Sequence, residues 1–208
     1  MTRAHVTYDE LGGGDPPEHP RADGAAGATD ADGEAALIAA AQADPAAFEA
    51  LYRRYVTRIY RYARARSLSD EDAADLTQQV LLRALDALPR FKPGRAPFAA
   101  WLFRIARNAA VDAGRRRRRD TLWRDTQSEP LVDVALDPEA QALRGETLAR
   151  LRAALARLDP PKRDLLALRF AGQLSATEIA AVVGKRPEAV KKQLTRILRT
   201  LREHYDDA

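Results

Sequence analysis

Residues 99–119 read AAWLFRIARNAAVDAGRRRRR, and their apolar and basic side chains separate onto two faces at a helical period. Phe98, Trp101, Leu102, Ile105 and Ala109 fall on one side, while Arg104, Arg107, Val111, Arg115 and Arg118 form a stripe roughly opposite. A helix of this kind must pack on one side, and Trp101 is read as part of that packed side. The other face and the C-terminal end are cationic. Five consecutive arginines without matching acids repel one another unless a polyanion lies nearby, so this face points to nucleic acid rather than to a merely solvated surface.

The remaining periodic stretches are also helical. Asp44 is placed to cap a helix with Pro45 at its first position, and Phe48, Leu51, Tyr52, Tyr55 and Ile59 give that helix a packed face. Ser69 followed by Asp70, Glu71 and Asp72 starts another, with acids at its positive end and a core stripe of Ala73, Leu76, Val80, Leu81, Leu85 and Leu88. Pro89 ends it, and RFKPGRAP reads as a turn-rich loop. Further on, Leu148, Leu151, Leu155 and Leu158 mark a helix, and DPPKRDLLALRFAG supplies a cap at Asp159 and a stop at Gly172. Ser175 and Glu178 stand at capping-box spacing, Gly184 is a left-handed terminator, and a second helix starts near Pro187. Val190, Leu194, Ile197 and Leu201 form its packed side, leaving Glu188, Lys192, Thr195 and Arg199 outward with Lys191 and Arg196 flanking. A short capped helix, a glycine turn and a basic second helix predict a DNA-binding helix-turn-helix.

Between these blocks the chain changes character. Residues 1–33 are rich in Gly, Ala, Asp and Pro and carry seven acids against Arg3 and Arg21, a net −5, with too few large apolar groups to order themselves. Residues 97–119 carry +6. Residues 120–146 again hold seven acids against Arg124 and Arg144, show no sustained period and read as an inter-domain linker. The expectation is an all-α chain: a disordered tail over 1–33, a helical domain over 34–119, a flexible linker over 120–146 and a helix-turn-helix domain over 147–206.

The same features exclude several function classes. With no cysteine, and with His5, His19 and His204 placed in the two tails, neither a metal nor another cofactor is expected. No run of eighteen apolar residues and no basic-then-apolar leader is present, so membrane insertion and secretion are not expected and a cytoplasmic location is. GGGDPP lacks the Gly-Lys-Ser/Thr of a phosphate loop, and scattered carboxylates without a paired His or Cys argue against an enzyme.

Taken in order, DPAAFEALYRRY, DEDAADLTQQVLLRAL and RFKPGRAPFAAWLFRIARNAAVDAGRRRRR resemble region two of the extracytoplasmic-function sigma factors of the sigma-70 family. LARLDPPKRDLLALRFAGQLSATEIAAVVGKRPEAVKKQLTRILRTLRE resembles their region four, and the resemblance spans residues 34–206. It implies a dissociable subunit that recruits RNA polymerase core to promoter DNA, melts the proximal promoter element with region two and reads the distal element with region four. It implies polymerase contacts at Asp75, Gln78, Gln79 and Leu82. It places an extruded base at residues 91–97, Arg95 included, and the unpaired strand at Arg104, Arg107, Asn108 and Arg115. Distal-element contacts fall to Arg186, Glu188, Lys191, Lys192, Thr195, Arg196 and Arg199. An anti-sigma factor is a further implied partner, since two linked domains can be clamped with their polymerase faces hidden.

Two positions depart from the family pattern. Gln79 stands where an acid usually follows the glutamine of the polymerase-binding helix, removing one charge from that face. Arg186 stands where Ser or Thr normally caps the recognition helix, weakening the cap while offering a phosphate contact. The alternative reading, a helix-turn-helix regulator that never touches polymerase, leaves the stripe of Asp75, Gln78, Gln79 and Leu82 unexplained.

Overall fold

Helix boundaries follow the capping chemistry written in the chain. The structure is a computed structural model describing residues 26–66, 69–121 and 138–206, and among these every regular element is helical. The eight α-helices are α1 (Ala26–Ala43), α2 (Phe48–Arg64), α3 (Asp70–Ala87), α4 (Phe98–Thr121), α5 (Pro138–Ala156), α6 (Pro160–Leu166), α7 (Ala176–Val183) and α8 (Pro187–Asp206). Asp44 accepts from the Ala46 amide at 2.9 Å and opens a 3-10 turn with Pro45 that leads into α2. Ser69 accepts from the Asp72 amide at 3.0 Å and starts α3 with three acids in its first turn.

In the N-terminal half, Phe48, Leu51, Tyr55, Ile59 and Tyr62 of α2 pack on α3 and α4. Tyr52, predicted in the same stripe, is 44% exposed, because the buried arc is centred on Leu51, Tyr55, Ile59 and Tyr62 and leaves position 52 at its edge. Ile38 and Ala41 of α1 join this core, and the Gln42 amide donates to the carbonyls of Leu88 and Phe91 at 2.9 and 2.8 Å, tying α1 to the turn that follows α3. Phe91, Phe98 and Trp101 form an aromatic cluster with centroids 5.0 to 5.3 Å apart, which anchors the start of α4.

Helix ends differ from the expected boundaries in three places. Residues 26–33, expected to be disordered, lie inside α1: the Ala-rich run that continues to Ala43 carries the helix back past Gly33. Residues 138–146, expected in the linker, are helical, since Pro138 occupies the first position of α5 and Glu, Ala, Gln and Leu follow it. Helix α4 likewise extends one residue beyond the expected linker start. Residues 1–25 and 122–137, where the rest of the predicted tail and linker fall, lie outside the described residues.

In the C-terminal half, Asp159 caps α6 by accepting from the Lys162 amide at 3.0 Å. The helix then widens into a π turn over Ala167–Ala171. The helix stops at Gly172, as expected, but without a left-handed glycine. Gly172 has φ −77°, and the left-handed residue is Gln173 at φ 54°. A glycine stands at 172 for space: a Cβ there would lie 2.6 Å from Cε1 of Phe103 and 2.9 Å from the Leu168 carbonyl oxygen. Leu158, Leu168, Leu174, Ile179, Val190 and Ile197 are buried, whereas Leu148 and Leu151, predicted on the packed stripe, are exposed at the outer edge of α5.

Residues 37–206 belong to one compact unit, in which α7 packs on α4 and the π turn packs on α2. The two helical domains expected on either side of a linker therefore share an interface.

Candidate polymerase and nucleic-acid interfaces

Helix α3 buries Ala73, Leu76, Thr77, Val80, Leu81 and Ala84, so positions between them turn outward. Asp75, Gln78 and Leu82 are exposed on that side and Gln79 is half-buried beside them, and the four predicted polymerase contacts thus share one surface. Leu82 is 54% exposed and borders an apolar groove of about 630 Å³ between α2 and α3, where it faces Phe48, Tyr52, Val56, Tyr60 and Leu85.

Helix α4 presents its predicted basic face, but its arginines are not equivalent. Asn108 and Arg115 are exposed. Arg104 donates from its guanidinium to the Ala181 carbonyl of α7 at 2.8 Å, and Arg107 donates from Nε to Asp164 of α6 at 2.7 Å. Arg95 is exposed in the loop before α4, next to Gly94 at φ 87°, on a recess of about 260 Å³ shared with Arg90, Phe91, Lys92, Trp101 and Arg104. The side chains of residues 117–119 lie outside the described ones.

The helix-turn-helix has the anticipated geometry. Ser175 and Glu178 form a reciprocal capping box, with the Glu178 amide donating to Ser175 Oγ at 3.2 Å and the Ser175 amide to Glu178 Oε2 at 2.7 Å. Gly184 is left-handed at φ 70°, and Pro187 is the first residue of α8. Val190, Leu194 and Ile197 are buried, so Arg186, Glu188, Lys191, Lys192, Thr195, Arg196 and Arg199 all remain exposed. Three of these have local partners among themselves: Glu188 pairs with Lys191 at 2.9 Å, and the Thr195 hydroxyl donates to the Lys191 carbonyl at 3.1 Å. At 60–73% side-chain exposure the Glu188 pair contributes little and is free to rearrange.

Several residues at this junction carry no sequence motif. The Tyr62 hydroxyl donates to Asp164 Oδ1 at 2.9 Å, and Arg66 approaches the same oxygen at 3.6 Å. Burial, reinforced by the Asp164 carboxylate, pushes the Tyr62 phenol well above its ordinary value, so it remains a donor. Arg58 donates to the carbonyls of Gly172 and Gln173 at 3.0 and 3.3 Å while lying over the rings of Tyr55 and Phe103.

Comparison with known proteins agrees with this architecture. Residues 51–120 match the family described as Sigma-70 region 2, and residues 148–201 match Sigma-70, region 4. The ECF RNA polymerase sigma factor BldN of Streptomyces coelicolor is 36% identical over 166 residues, which cover 79% of this chain and 63% of the relative. The ECF RNA polymerase sigma factor SigD of Mycobacterium tuberculosis is 33% identical over 149 residues, 70% of each chain. The structure of CnrH in complex with the cytosolic domain of CnrY is 30% identical, with a TM-score of 0.60, and the match covers 82% of this chain and 96% of CnrH. The capped helix-turn-helix over α7 and α8, the basic helix α4 and the outward stripe of α3 lie within the matched regions. The chain therefore belongs to the extracytoplasmic-function sigma factors of the sigma-70 family.

Proposed function

We propose that this chain acts in the cytoplasm, without catalytic activity of its own, as a dissociable subunit of RNA polymerase that directs initiation to specific promoters. The observation that carries the reading is the coexistence, in one compact unit, of an exposed polar and apolar stripe on α3 and a capped helix-turn-helix whose second helix is basic on its outer face. The first suits a protein partner and the second duplex DNA, and a sigma factor needs both. Asp75, Gln78, Gln79 and Leu82 are assigned to polymerase core. Arg95, Arg104, Arg107, Asn108 and Arg115 are assigned to the melted proximal element, where cations neutralise phosphates and a rigid helix supports an unpaired strand.

Helix α8 is assigned to the major groove of the distal element. Glu188 and Lys192 point to base edges, and Arg186, Lys191, Thr195, Arg196 and Arg199 mainly to the backbone. An anti-sigma factor is proposed as the controlling partner, because CnrH, to which this chain is similar, was solved with a bound cytosolic domain. The test is transcription from genomic fragments by purified core polymerase with and without the protein. Promoter-specific transcripts that require the added chain support the reading. Tight DNA binding with no gain of initiation would make the chain a regulator that acts outside polymerase.

A further inference from the structure

Helix α6 precedes the helix-turn-helix, yet it packs on α8 and brings Lys162 to the flank of the helix assigned to DNA. Ala189, Lys192, Gln193, Arg196 and Thr200 fall on one stripe of α8 and wall a recess of about 440 Å³, which Lys162 completes from α6. Val190, Leu194 and Ile197, the buried positions of α8, lie beside this stripe, so the recess opens on the flank of the helix. None of the residues that line it is acidic.

The donors around the recess suit a singly charged anion that carries only acceptors. Lys192 and Arg196 are exposed, and Lys162 is half-buried with its ammonium 3.1 Å from the Asp159 carboxylate. That pair joins side chains 42% and 52% exposed, so it contributes little and can exchange for another anion. Asp159 keeps its bond from the Lys162 amide whatever the ammonium does, so the cap of α6 does not depend on the pair. Gln193 accepts from Lys185 Nζ at 2.9 Å through Oε1, which leaves its amide nitrogen to donate. Three cations and a neutral donor thus surround a recess whose small wall residue, Ala189, leaves it open. With Glu188 and Lys192 toward base edges, the strand that borders the major groove passes along this flank of α8.

We propose that this recess is a phosphate site in which Lys162, outside the helix-turn-helix motif, and Arg196 of α8 together hold one backbone phosphodiester of duplex DNA. The proposal rests on the assignment of α8 to the distal promoter element and adds a contact that this assignment does not contain. A phosphate gripped from two helices fixes the rotation of α8 about its own axis, which cations on α8 alone do not. Lys162 is therefore a positioning residue: it carries no sequence information itself, but it sets where Lys192 meets the base edges.

The test uses the full chain and a duplex that the wild-type protein selects from a randomised pool. Lys162→Ala should weaken binding by about threefold to tenfold, the worth of one exposed charge-assisted contact, and lower the slope of log affinity against log salt by about one unit. Lys162→Arg should restore both, and the thermal midpoint of Lys162→Ala should match that of wild type. The phosphate is then located by replacing single phosphates of the duplex, one at a time, with neutral methylphosphonates. One position should weaken wild type and leave Lys162→Ala unaffected, because the contact is already gone there. An affinity unchanged by Lys162→Ala overturns the site. So does a set of methylphosphonate losses that is the same in both proteins, since the lysine would then act only as diffuse positive charge. A wild-type chain that selects no duplex at all overturns the assignment of α8 and this site with it, whereas normal selection with an indifferent Lys162 overturns the site alone.

Discussion

Gly172 and Phe103 meet so closely across the two halves of the chain that any side chain at 172 would collide with the ring: an added Cβ would stand 2.6 Å from Phe103 Cε1. Phe103 is fully buried and stacks edge-on against Tyr62 at 5.7 Å, so the ring has no free direction in which to retreat. Gly172→Ala should therefore destabilise the folded chain by about 1–3 kcal/mol, the usual cost of overpacking, measured by denaturant unfolding. Phe103→Leu frees space at the same point, so the double variant should lose less than the sum of the two single variants. Strict additivity would place the strain at the Leu168 carbonyl instead.

Much of the fold was legible because helix termini are local. Asp44, Ser69, Asp159, Ser175 with Glu178, and Gly184 each act within four residues of themselves, and each caps or terminates where its spacing indicated. The contacts between halves were not legible, because they join positions 57 to 115 apart and use side chains that each half alone presents as ordinary surface. Arg58 and Arg104 donate to backbone carbonyls, which leave no residue pattern at all. Asp164 is the exception: it lies one turn from buried Ala167 and Leu168, and a carboxylate on an apolar stripe demands a partner even when the partner cannot be named. The start of α1 was missed for a different reason, since Gly and Asp within residues 26–33 argue against helix by propensity.

Asp75→Arg tests the α3 surface. The side chain is exposed and its substitution disturbs no packing, so thermal stability should change by no more than about 0.5 kcal/mol. Affinity for polymerase core, measured by titration, should fall. Unchanged affinity would remove Asp75 from that interface.

Asp159 predicts an acid dependence. The Lys162 amide, followed by the Lys162 side chain, holds its exposed carboxyl below the ordinary value of 3.8. A lowered folded value means that its contribution is fully present above the ordinary value and is lost as pH falls through the folded one. Asp159→Asn keeps a cap of similar quality but does not titrate. The two proteins should therefore unfold alike at the acid end and diverge in favour of the aspartate as pH rises through the region near 4. Parallel stability curves from pH 2 to 7 would show that the carboxylate charge plays no part.

Replacing Arg104 and Arg107 by alanine separates strand melting from duplex binding. Because both arginines also bond to the C-terminal half of the chain, the comparison belongs in assembled holoenzyme, where the halves are already committed to polymerase. Permanganate reactivity of unpaired thymines should drop more than occupancy of the distal element does. An equal loss in both would reduce α4 to a general source of positive charge.

Helix α8 offers the sharpest discrimination. Val190, Leu194 and Ile197 are buried against the rest of the domain, which turns Glu188, Lys192 and Arg199 outward. Lys192 lies nearer the helix start, the end that enters the major groove in helix-turn-helix proteins, and shares a recess with Lys162, Gln193, Arg196 and Thr200. Arg199 stands two turns further along, where a helix leaving the groove passes the backbone. Lys192→Ala should alter which sequences are preferred, by roughly 1–3 kcal/mol at one base position. Arg199→Ala should weaken all sequences alike and lower the slope of log affinity against log salt by about one unit. Glu188 is paired with Lys191 at 2.9 Å on the exposed surface, so it must exchange that partner for a cytosine amine if it reads a base. Selection from randomised duplexes with wild type, Lys192→Ala and Arg199→Ala decides the assignment, and identical preferences in all three would mean that this face binds DNA without reading it.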